Sequence, residues 1–342
     1  MEGMERDCPL RRYEPLWGTW YVDGLLGRGS FGSVWQLRRE TEGGTEYAAL
    51  KEVLIAPAGG RMEGLDAAGE AVYFRAVLEE TLAEAERMAG LAACGAVVEF
   101  QACQAVELDG PGERGWRVLI RMERLVPVRE LLETGGFPLR EAARLAADIA
   151  RALEACQEQG IVHRDIKPDN LFYAPASGRY KLGDFGLARH LARPTEGKGR
   201  AGTLSHMSPE VYQGAPFTPA CDRYALGMVL YRLLNDNRIP LLPPYPEPFT
   251  PDQRDRALVR RLRGEEIGPP SVVRYAAAPG EPETGLGAVF GAGERELAAA
   301  LGRIAQRAVA ARPRERYPSA RAFREAVEQA LAGGPEQKEN KK

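Results

Sequence analysis

Four polar residues are spaced in a pattern that suits the transfer of a phosphoryl group. Asp165, Lys167 and Asn170 fall within one short segment after an apolar helical stretch, and Asp184 follows a strand-like segment at residues 180–182. Phosphoryl transfer depends on in-line positioning, charge neutralisation and a carboxylate that orients the attacking hydroxyl. Asp165 can accept that hydroxyl proton, and Lys167 can neutralise charge on the phosphoryl group. Asn170 and Asp184 offer the hard oxygen atoms that Mg²⁺ prefers.

A second group of residues suits the binding of phosphates. Gly27, Gly29, Gly32 and Val34 form the pattern G-x-G-x-x-G-x-V, in which glycines allow the backbone to approach an anion closely. A glycine-rich hairpin turn explains this pattern equally well on its own. A dinucleotide-binding fold would open a helix here, whereas a strand-like segment follows, which favours a hairpin. Lys51 ends the next strand-like segment and suits polyphosphate, although an edge-strand lysine usually faces water.

The elements that must position these residues change in character near residue 122. In the first part, the pattern predicts several strands, a Gly/Ala/Pro-rich loop and a helical segment that forms either one helix or two. The strands are predicted at 20–26, 34–37, 47–51, 100–106 and 116–122, the helix at 71–91 and the loop at 56–69. The second part predicts helices at 139–159, ended by Gly160, at 222–234, and from a Ser319 cap to about residue 332. Stretches 240–251 and 274–293 are predicted to be irregular. The pattern therefore predicts an α+β chain.

The composition excludes several functional classes. The chain has 342 residues, of which 44% are apolar and 27% are charged, and its formal net charge is −2, which argues against a nucleic-acid partner. Five cysteines without C-x-x-C spacing argue against a zinc site or a disulfide framework. The sequence shows neither a secretory signal nor a membrane-spanning run, so we expect a cytoplasmic protein without a membrane partner.

Together these motifs resemble the eukaryotic-like (Hanks-type) serine/threonine protein kinases, including their bacterial members. The matching pieces follow the family's order over residues 17–332: the glycine-rich segment 27–34, Ala-Leu-Lys at 49–51, His-Arg-Asp at 163–165, Asp-Phe-Gly at 184–186, Ser-Pro-Glu at 208–210 in place of Ala-Pro-Glu, an Asp-led helix at 222–227 and an arginine motif at 312–317. The resemblance implies a bilobal protein-kinase-like fold, with a small β-rich N-lobe that carries one main helix and a larger, mostly helical C-lobe. It divides the chain into an extension (1–16), the N-lobe (17–122), the hinge and C-lobe (123–333) and a disordered charged tail (334–342).

The resemblance also implies roles for single residues. Asp165 would be the catalytic base, and Lys167 and Lys51 would be further catalytic residues that neutralise phosphate charge. Mg²⁺, or Mn²⁺ as an alternative, would be held by Asn170 and Asp184. The helix glutamate paired with Lys51 would be Glu84, with Glu79, Glu80 and Glu86 as rivals. ATP would be held by these two metal ligands and by Leu26, Gly27, Gly29, Gly32, Val34, Ala49, Lys51, Met122, Glu123 and Leu125.

The same resemblance implies the substrate class. Lys167 and Thr203 match positions typical of kinases that act on serine and threonine hydroxyls of proteins. We also hypothesise autophosphorylation of Thr195 by transient self-association, with the new phosphate docking on Arg164.

Two alternatives remain at the level of the sequence. A pseudokinase would bind ATP without turnover, although intact Lys51, Asp165, Asn170 and Asp184 speak against it. A small-molecule kinase of the aminoglycoside or choline type would share the catalytic loop, but usually with His-Gly-Asp and without a Ser-Pro-Glu segment.

The resemblance further implies a structural buried pair between Glu210 and Arg316.

Overall fold

The computed structural model describes residues 8–29, 32–55, 67–108, 115–133, 137–187, 189–190, 203–244, 246–271 and 292–333. The chain divides into two units, Met1–Ala93 with Val98–Leu125 and Cys94–Val97 with Val126–Lys342. The boundary predicted at residues 122–123 lies close to this division.

The first unit contains a five-stranded antiparallel sheet and one long helix. The strands are β1 (Tyr21–Gly29), β2 (Gly32–Thr41), β3 (Gly44–Ile55), β4 (Phe100–Glu107) and β5 (Trp116–Glu123), and the helix is α1 (Ala67–Leu91). Their order in the sheet is β1-β2-β3-β5-β4. β2 and β3 extend beyond the predicted strands because polar pairs continue the ladder to its turn, where Arg39 lies opposite Glu46 and donates hydrogen bonds to its carboxylate.

Helix α1 runs without interruption, which resolves the choice between one helix and two. Phe74, Thr81, Ala85, Met88 and Leu91 are buried at helical spacing. Phe74 and Ala85 of this stripe pack with apolar side chains of β3, β4 and β5 in one cluster. The exposed residues between them gave the weaker periodicity that left the prediction open.

The segment before β1 is part of the first unit's core. Leu10 and Leu16 are buried together with Trp20, Trp35 and Leu37. We expected residues 1–16 to be an extension, because isolated apolar residues among charged ones give no helical or strand period. The apolar side chains here come from irregular backbone, and burial depends on the facing sheet rather than on any local repeat.

The second unit is mostly helical. Its helices are α2 (Val128–Glu133), α3 (Leu139–Glu158), α4 (Pro209–Tyr212), α5 (Pro219–Leu233), α6 (Pro251–Leu262), α7 (Ala292–Ala308) and α8 (Ala320–Ala332). Its short strands are β6 (Val126–Pro127), β7 (Ile161–Val162), β8 (Leu171–Ala174), β9 (Arg179–Leu182) and β10 (Arg189–His190). Helix α3 packs against α5 and α8, and its buried stripe includes Leu145, Ile149 and Leu153.

Two predicted helix ends of the second unit, at Gly160 and Ser319, are confirmed, whereas α5 begins three residues before its predicted start at residue 222. Gly160 has a φ of 67°, the left-handed conformation that stops α3. Ser319 accepts a hydrogen bond from the Ala322 N–H and begins α8. Helix α6 was missed because charged residues dominate it, although Pro251 at its first position and a capping box between Thr250 and Gln253 mark its start.

Two further sequence expectations concern the chain as a whole. None of the helices in the described ranges combines the length and the apolar character needed to cross a membrane. The five cysteines all lie in described ranges and form no disulfide with one another.

The buried N-terminal segment yields a prediction about stability. Leu16 is 2% exposed, so Leu16→Ala should lower the free energy of unfolding by about 2–5 kcal/mol. Leu54, which is 55% exposed in the same unit, is the matched control, and Leu54→Ala should change it by no more than about 0.5 kcal/mol. Urea unfolding of both variants measures the difference, and equal effects would show that the segment contributes no core.

Candidate active site

Asp165 is the centre of a ring of hydrogen bonds in the second unit. It lies in the loop after β7 and is 5% exposed. Lys167 Nζ donates to Asp165 Oδ2 at 2.6 Å and to Thr203 Oγ1 at 3.2 Å. The Thr203 hydroxyl donates to Asp165 Oδ1 at 3.1 Å, and Asn170 Nδ2 donates to the Asp165 carbonyl oxygen at 2.7 Å and to Oδ2 at 3.1 Å. The loop therefore brings together the residues that the sequence singled out and fixes the orientation of the carboxylate.

A buried carboxylate from α5 holds the start of this loop. Asp222 accepts the backbone N–H of His163 at 2.7 Å and that of Arg164 at 2.8 Å. Burial raises the pKa of Asp222, and the nearby His163 and Arg164 oppose that shift. Arg164 has a φ of 73°, an uncommon conformation for a residue with a side chain. The two hydrogen bonds from backbone N–H groups to the Asp222 carboxylate stabilise this conformation of Arg164.

His163 connects the loop to the segment that carries Asp184. Its Nε2 lies 3.1 Å from the Gly183 carbonyl oxygen, and because a carbonyl only accepts, this nitrogen carries the proton. Nδ1 is then left to accept from the Asp165 N–H at 3.4 Å. The His163 ring also packs edge-on against Phe185, with 4.7 Å between centroids.

Asn170 and Asp184 have the chemistry of a Mg²⁺ site. The Gly183 N–H donates to the Asn170 carbonyl oxygen at 2.9 Å, so the two residues lie on adjoining segments. Since Nδ2 of Asn170 is occupied by Asp165, its Oδ1 is the atom left for a cation. Asp184 adds a carboxylate from backbone with a φ of 57°. Amide and carboxylate oxygens of this kind fit Mg²⁺ or Mn²⁺.

The first unit places the predicted phosphate-binding glycines in a hairpin, not at the start of a helix. Gly27 lies opposite Val34 and Gly29 opposite Gly32 in the ladder of β1 and β2. Gly32 has a φ of 137°, and a Cβ there would lie 1.9 Å from the Glu52 carbonyl oxygen. Only glycine fits this position.

Four of the predicted nucleotide-binding side chains share one face of this sheet. Val34 lies opposite Lys51, and Ala49 lies opposite Met122. Directly opposed residues of neighbouring strands point to the same face of a sheet. Residues two apart on one strand do so as well, so Ala49 and Lys51 share that face. Ala49 and Lys51 are buried, whereas Leu26 on β1 is largely exposed.

The last residues of β5 reach the end of the first unit. The Glu123 N–H donates to the Glu99 carbonyl oxygen at 3.1 Å. Glu123 Oε1 accepts the Glu99 N–H at 2.7 Å. Leu125 follows and is half-buried. These contacts fix the backbone at Glu123, one of the two residues predicted to meet the adenine.

The helix glutamate can be placed by its backbone. Residue 84 lies on α1 on the same face as Thr81 and Met88, both of which are buried, while the side chain of Glu84 lies outside the described part. The rivals Glu79 and Glu86 are exposed, and Glu80 lies 3.5 Å from Arg87. The backbone favours Glu84, whose pairing with Lys51 remains a prediction.

Comparison with known proteins identifies the family. Residues 20–243 match the family model described as "Protein kinase domain". The chain belongs to the protein kinase family. This confirms the identification made from the motifs, and with it the α+β, bilobal fold class.

The curated relatives of this kinase-family chain include proteins named as serine/threonine-protein kinases. It is 30% identical over 237 residues to serine/threonine-protein kinase PkaA of Streptomyces coelicolor, covering 64% of this chain and 39% of the relative. It is 32% identical over 206 residues to serine/threonine-protein kinase Pkn1 of Myxococcus xanthus, covering 58% and 25%. It is 34% identical over 134 residues to human calcium/calmodulin-dependent protein kinase type IV, covering 39% and 26%. The chain therefore spans well under half the length of these relatives.

Two buried arginines of the second unit hold a turn and a carboxylate close in sequence to Thr203. Arg316 donates to both carboxylate oxygens of Glu210 at 2.7 Å, which confirms the pair implied by the resemblance. Arg261 on α6, which no sequence motif distinguishes, is 0% exposed. It donates to the carbonyl oxygens of Leu204 at 2.5 Å and of Met207 at 2.8 Å. Its charged neighbours in the sequence resemble an ordinary solvated helix face, so only the packing identifies it.

One hypothesis cannot be followed in the structure. Thr195 lies outside the described residues. Arg164, its suggested docking partner, stacks on Phe217 with 4.9 Å between the guanidinium carbon and the ring centroid.

The Glu210–Arg316 pair should make the kinase domain's stability depend on pH. Burial alone raises the pKa of Glu210, but the hydrogen bonds and charge of Arg316 outweigh it and hold that pKa below the ordinary value of 4.5. A depressed folded-state pKa means that the stabilisation is complete above pH 4.5 and is lost as pH falls through the folded-state pKa. At neutral pH, Glu210→Gln should lower the free energy of unfolding by about 3 kcal/mol.

Denaturant unfolding across pH tests this expectation. The deficit of Glu210→Gln relative to the native chain should shrink as pH falls below 4.5. Glu315→Gln, which removes an exposed partner of Arg312, should stay within about 0.5 kcal/mol at every pH. A deficit of Glu210→Gln that stays constant with pH would contradict the assignment.

Proposed function

We propose that this chain transfers the γ-phosphoryl group of ATP to serine or threonine hydroxyls of proteins. The observation that carries the proposal is the ring formed by Asp165, Lys167 and Thr203, in which both carboxylate oxygens already accept hydrogen bonds. Such a ring holds a carboxylate ready to orient a hydroxyl, which is the main protein contribution to phosphoryl transfer. The kinase family and the serine/threonine kinases among the relatives support it.

In the proposed reaction, the substrate hydroxyl oxygen forms a bond to the γ-phosphorus while the bond from that phosphorus to the bridging oxygen of ADP breaks. The hydroxyl proton passes to a carboxylate oxygen of Asp165. Lys167 stabilises negative charge on the transferred group and keeps Asp165 in place, both by its own hydrogen bond and through Thr203. Products are ADP and the phosphoserine or phosphothreonine.

The metal would be held by Asn170 and Asp184. Bound Mg²⁺ or Mn²⁺ would neutralise charge on the phosphates. Asn170 has a second task, since its Nδ2 fixes the carbonyl oxygen and Oδ2 of Asp165. One side chain would thus link the metal ligands to the proposed base.

The nucleotide would be held by the glycine hairpin and the sheet face of the first unit. We propose that Gly27, Gly29 and Gly32 approach the phosphates and that Lys51, supported by Glu84, neutralises them. The adenine ring would contact Leu26, Val34, Ala49 and Met122 and the backbone of Glu123 and Leu125.

Removal of the proposed base is the direct test of this function. Asp165→Asn should lower phosphate transfer to a threonine-containing protein by about 10²–10⁴-fold, because a neutral amide cannot accept the hydroxyl proton. Transfer of radiolabelled γ-phosphate, followed by phosphoamino-acid analysis, measures it. Asp252→Asn, which changes an exposed carboxylate at the start of α6, is the control and should retain activity.

The outcomes separate the competing readings. Equal transfer by the native chain and Asp165→Asn would remove the assignment of the base. Nucleotide binding without transfer by the native chain would favour a pseudokinase. Label found on small aminoalcohols or aminoglycosides, and never on protein, would favour the small-molecule alternative.

The metal assignment has a test that does not depend on turnover. Asp184→Ala should weaken binding of ATP in the presence of Mg²⁺ by at least ~10-fold, because it removes a carboxylate ligand. Calorimetric titration of ATP with and without Mg²⁺ measures this change. Asp165→Asn is the control and should bind ATP with native affinity. Unchanged Mg²⁺ dependence in Asp184→Ala would contradict the assignment.

A further inference from the structure

A cationic side chain lies beside the turn that holds Thr203. Arg232, at the end of α5, donates from its NH1 group to His206 Nε2 at 3.3 Å, and from Nε and NH2 to the carbonyl oxygen and Oδ1 of Asn237. His206 in turn donates its backbone N–H to the Thr203 carbonyl oxygen at 2.9 Å. Arg232 is therefore one residue removed from the threonine that contacts Asp165.

His206 contributes no charge that could balance this arginine. A guanidinium only donates, so His206 Nε2 accepts, and the proton sits on Nδ1, which faces the Ser205 hydroxyl at 3.1 Å. Burial lowers the pKa of His206 well below its ordinary value, and the nearby Arg232, Arg261 and Lys167 lower it further. His206 is neutral at physiological pH, and the positive charge around it remains.

Helix α6 contacts this turn through Arg261 and carries an exposed cation on the same face. Arg261 donates to the carbonyl oxygens of Leu204 and Met207, on either side of His206. Arg254 lies two turns earlier on α6, at a spacing of seven residues that places it on the same face as Arg261. Arg254 is exposed, whereas Arg261 is buried.

The charge balance at this place favours an anion. All the hydrogen bonds of Arg232 to described residues end on neutral acceptors. Burial lowers the pKa of Arg232, and repulsion by Arg254 and Arg261 adds to the shift, while Asp169 of the catalytic loop opposes it. Asp169 also lies 3.9 Å from Arg129 and is exposed. Arginine forks bind carboxylates through charge-assisted hydrogen bonds, so an incoming carboxylate would relieve this repulsion.

We propose that Arg232 and Arg254 form a subsite for an acidic residue of the protein substrate, placed within a few residues of the serine or threonine acceptor. This rests on the proposed function, because it assumes that Asp165 receives a protein hydroxyl. Arg232 contacts the 203–206 turn through His206, and Arg254 lies on the face of α6 whose Arg261 holds that turn. The kinase would then select acidic rather than basic sequences around its target.

A peptide series tests this subsite. Threonine peptides of one length carry a single Glu, Gln or Lys at each flanking position in turn, and kcat and KM are measured separately. At one or more positions, the native chain should phosphorylate the Glu peptide with a kcat/KM about 10-fold above the Gln peptide, mainly through KM. Arg232→Gln and Arg254→Glu should each abolish that preference, and Arg254→Glu should favour the Lys peptide.

A control on the same helix distinguishes a subsite from general attraction. Arg256 is exposed on the opposite face of α6 and pairs with Asp252 at 2.6 Å, so Arg256→Glu makes the same charge change away from the turn and should keep the preference. Equal losses in Arg254→Glu and Arg256→Glu would overturn the proposal. So would a native chain that prefers Gln or Lys throughout.

Two further measurements separate folding defects and phosphate binding from the proposed carboxylate subsite. If thermal melting shows that Arg232→Gln does not fold, the surface variant Arg254→Glu decides the result alone. A phosphothreonine in place of Glu that raises kcat/KM far above the Glu peptide would show that the site takes a phosphate, and would overturn the choice of a carboxylate. No transfer to any peptide or protein by the native chain would instead be a failure of the proposed function.

Discussion

The hydrogen bonds that Asp222 accepts from two backbone amides are the interaction on which the candidate site depends. The loop from His163 to Asn170 contains almost no regular structure, so its backbone groups need partners from elsewhere. Asp222 supplies them from within a packed helix and accepts both amides on separate oxygens. The positions of the other site residues depend on these two hydrogen bonds. His163 contacts the Gly183 carbonyl oxygen, and Arg164 directly precedes Asp165 in the chain.

The segment that carries Thr203 is held in the same way, by buried charged side chains that form hydrogen bonds with backbone groups. Arg261 holds two carbonyl oxygens of the turn that presents Thr203, and Arg316 holds Glu210 together with the carbonyl oxygens of Ala310 and Ala311. Burying such charges costs stability, and the hydrogen bonds from these guanidinium groups to carbonyl and carboxylate oxygens offset part of that cost. Their presence beside irregular backbone shows that these loops are fixed from the helical core of the unit.

Much of this arrangement could be predicted from the sequence because the motifs are local. Asp165, Lys167 and Asn170 lie in one segment, and the types of residue and their offsets already indicate the chemistry. What could not be predicted depends on contacts between distant segments. Arg261 is an ordinary arginine on a charged helix until Leu204 and Met207 are placed beside it, and Leu16 is an isolated apolar residue until a sheet covers it.

The buried segment before β1 also influences the orientation of Lys51, although the segment packs on the opposite face of the sheet. Glu52, the next residue on β3, accepts from Trp35 Nε1 at 2.8 Å and lies 3.4 Å from Arg117 Nε. Arg117 donates to the Pro9 carbonyl oxygen at 3.1 Å. Because neighbouring residues on a strand point to opposite faces, holding Glu52 from one side fixes the direction of Lys51 on the other. The N-terminal segment is thus one of the supports of the proposed phosphate-binding face, at a place where the family motifs themselves give no signal.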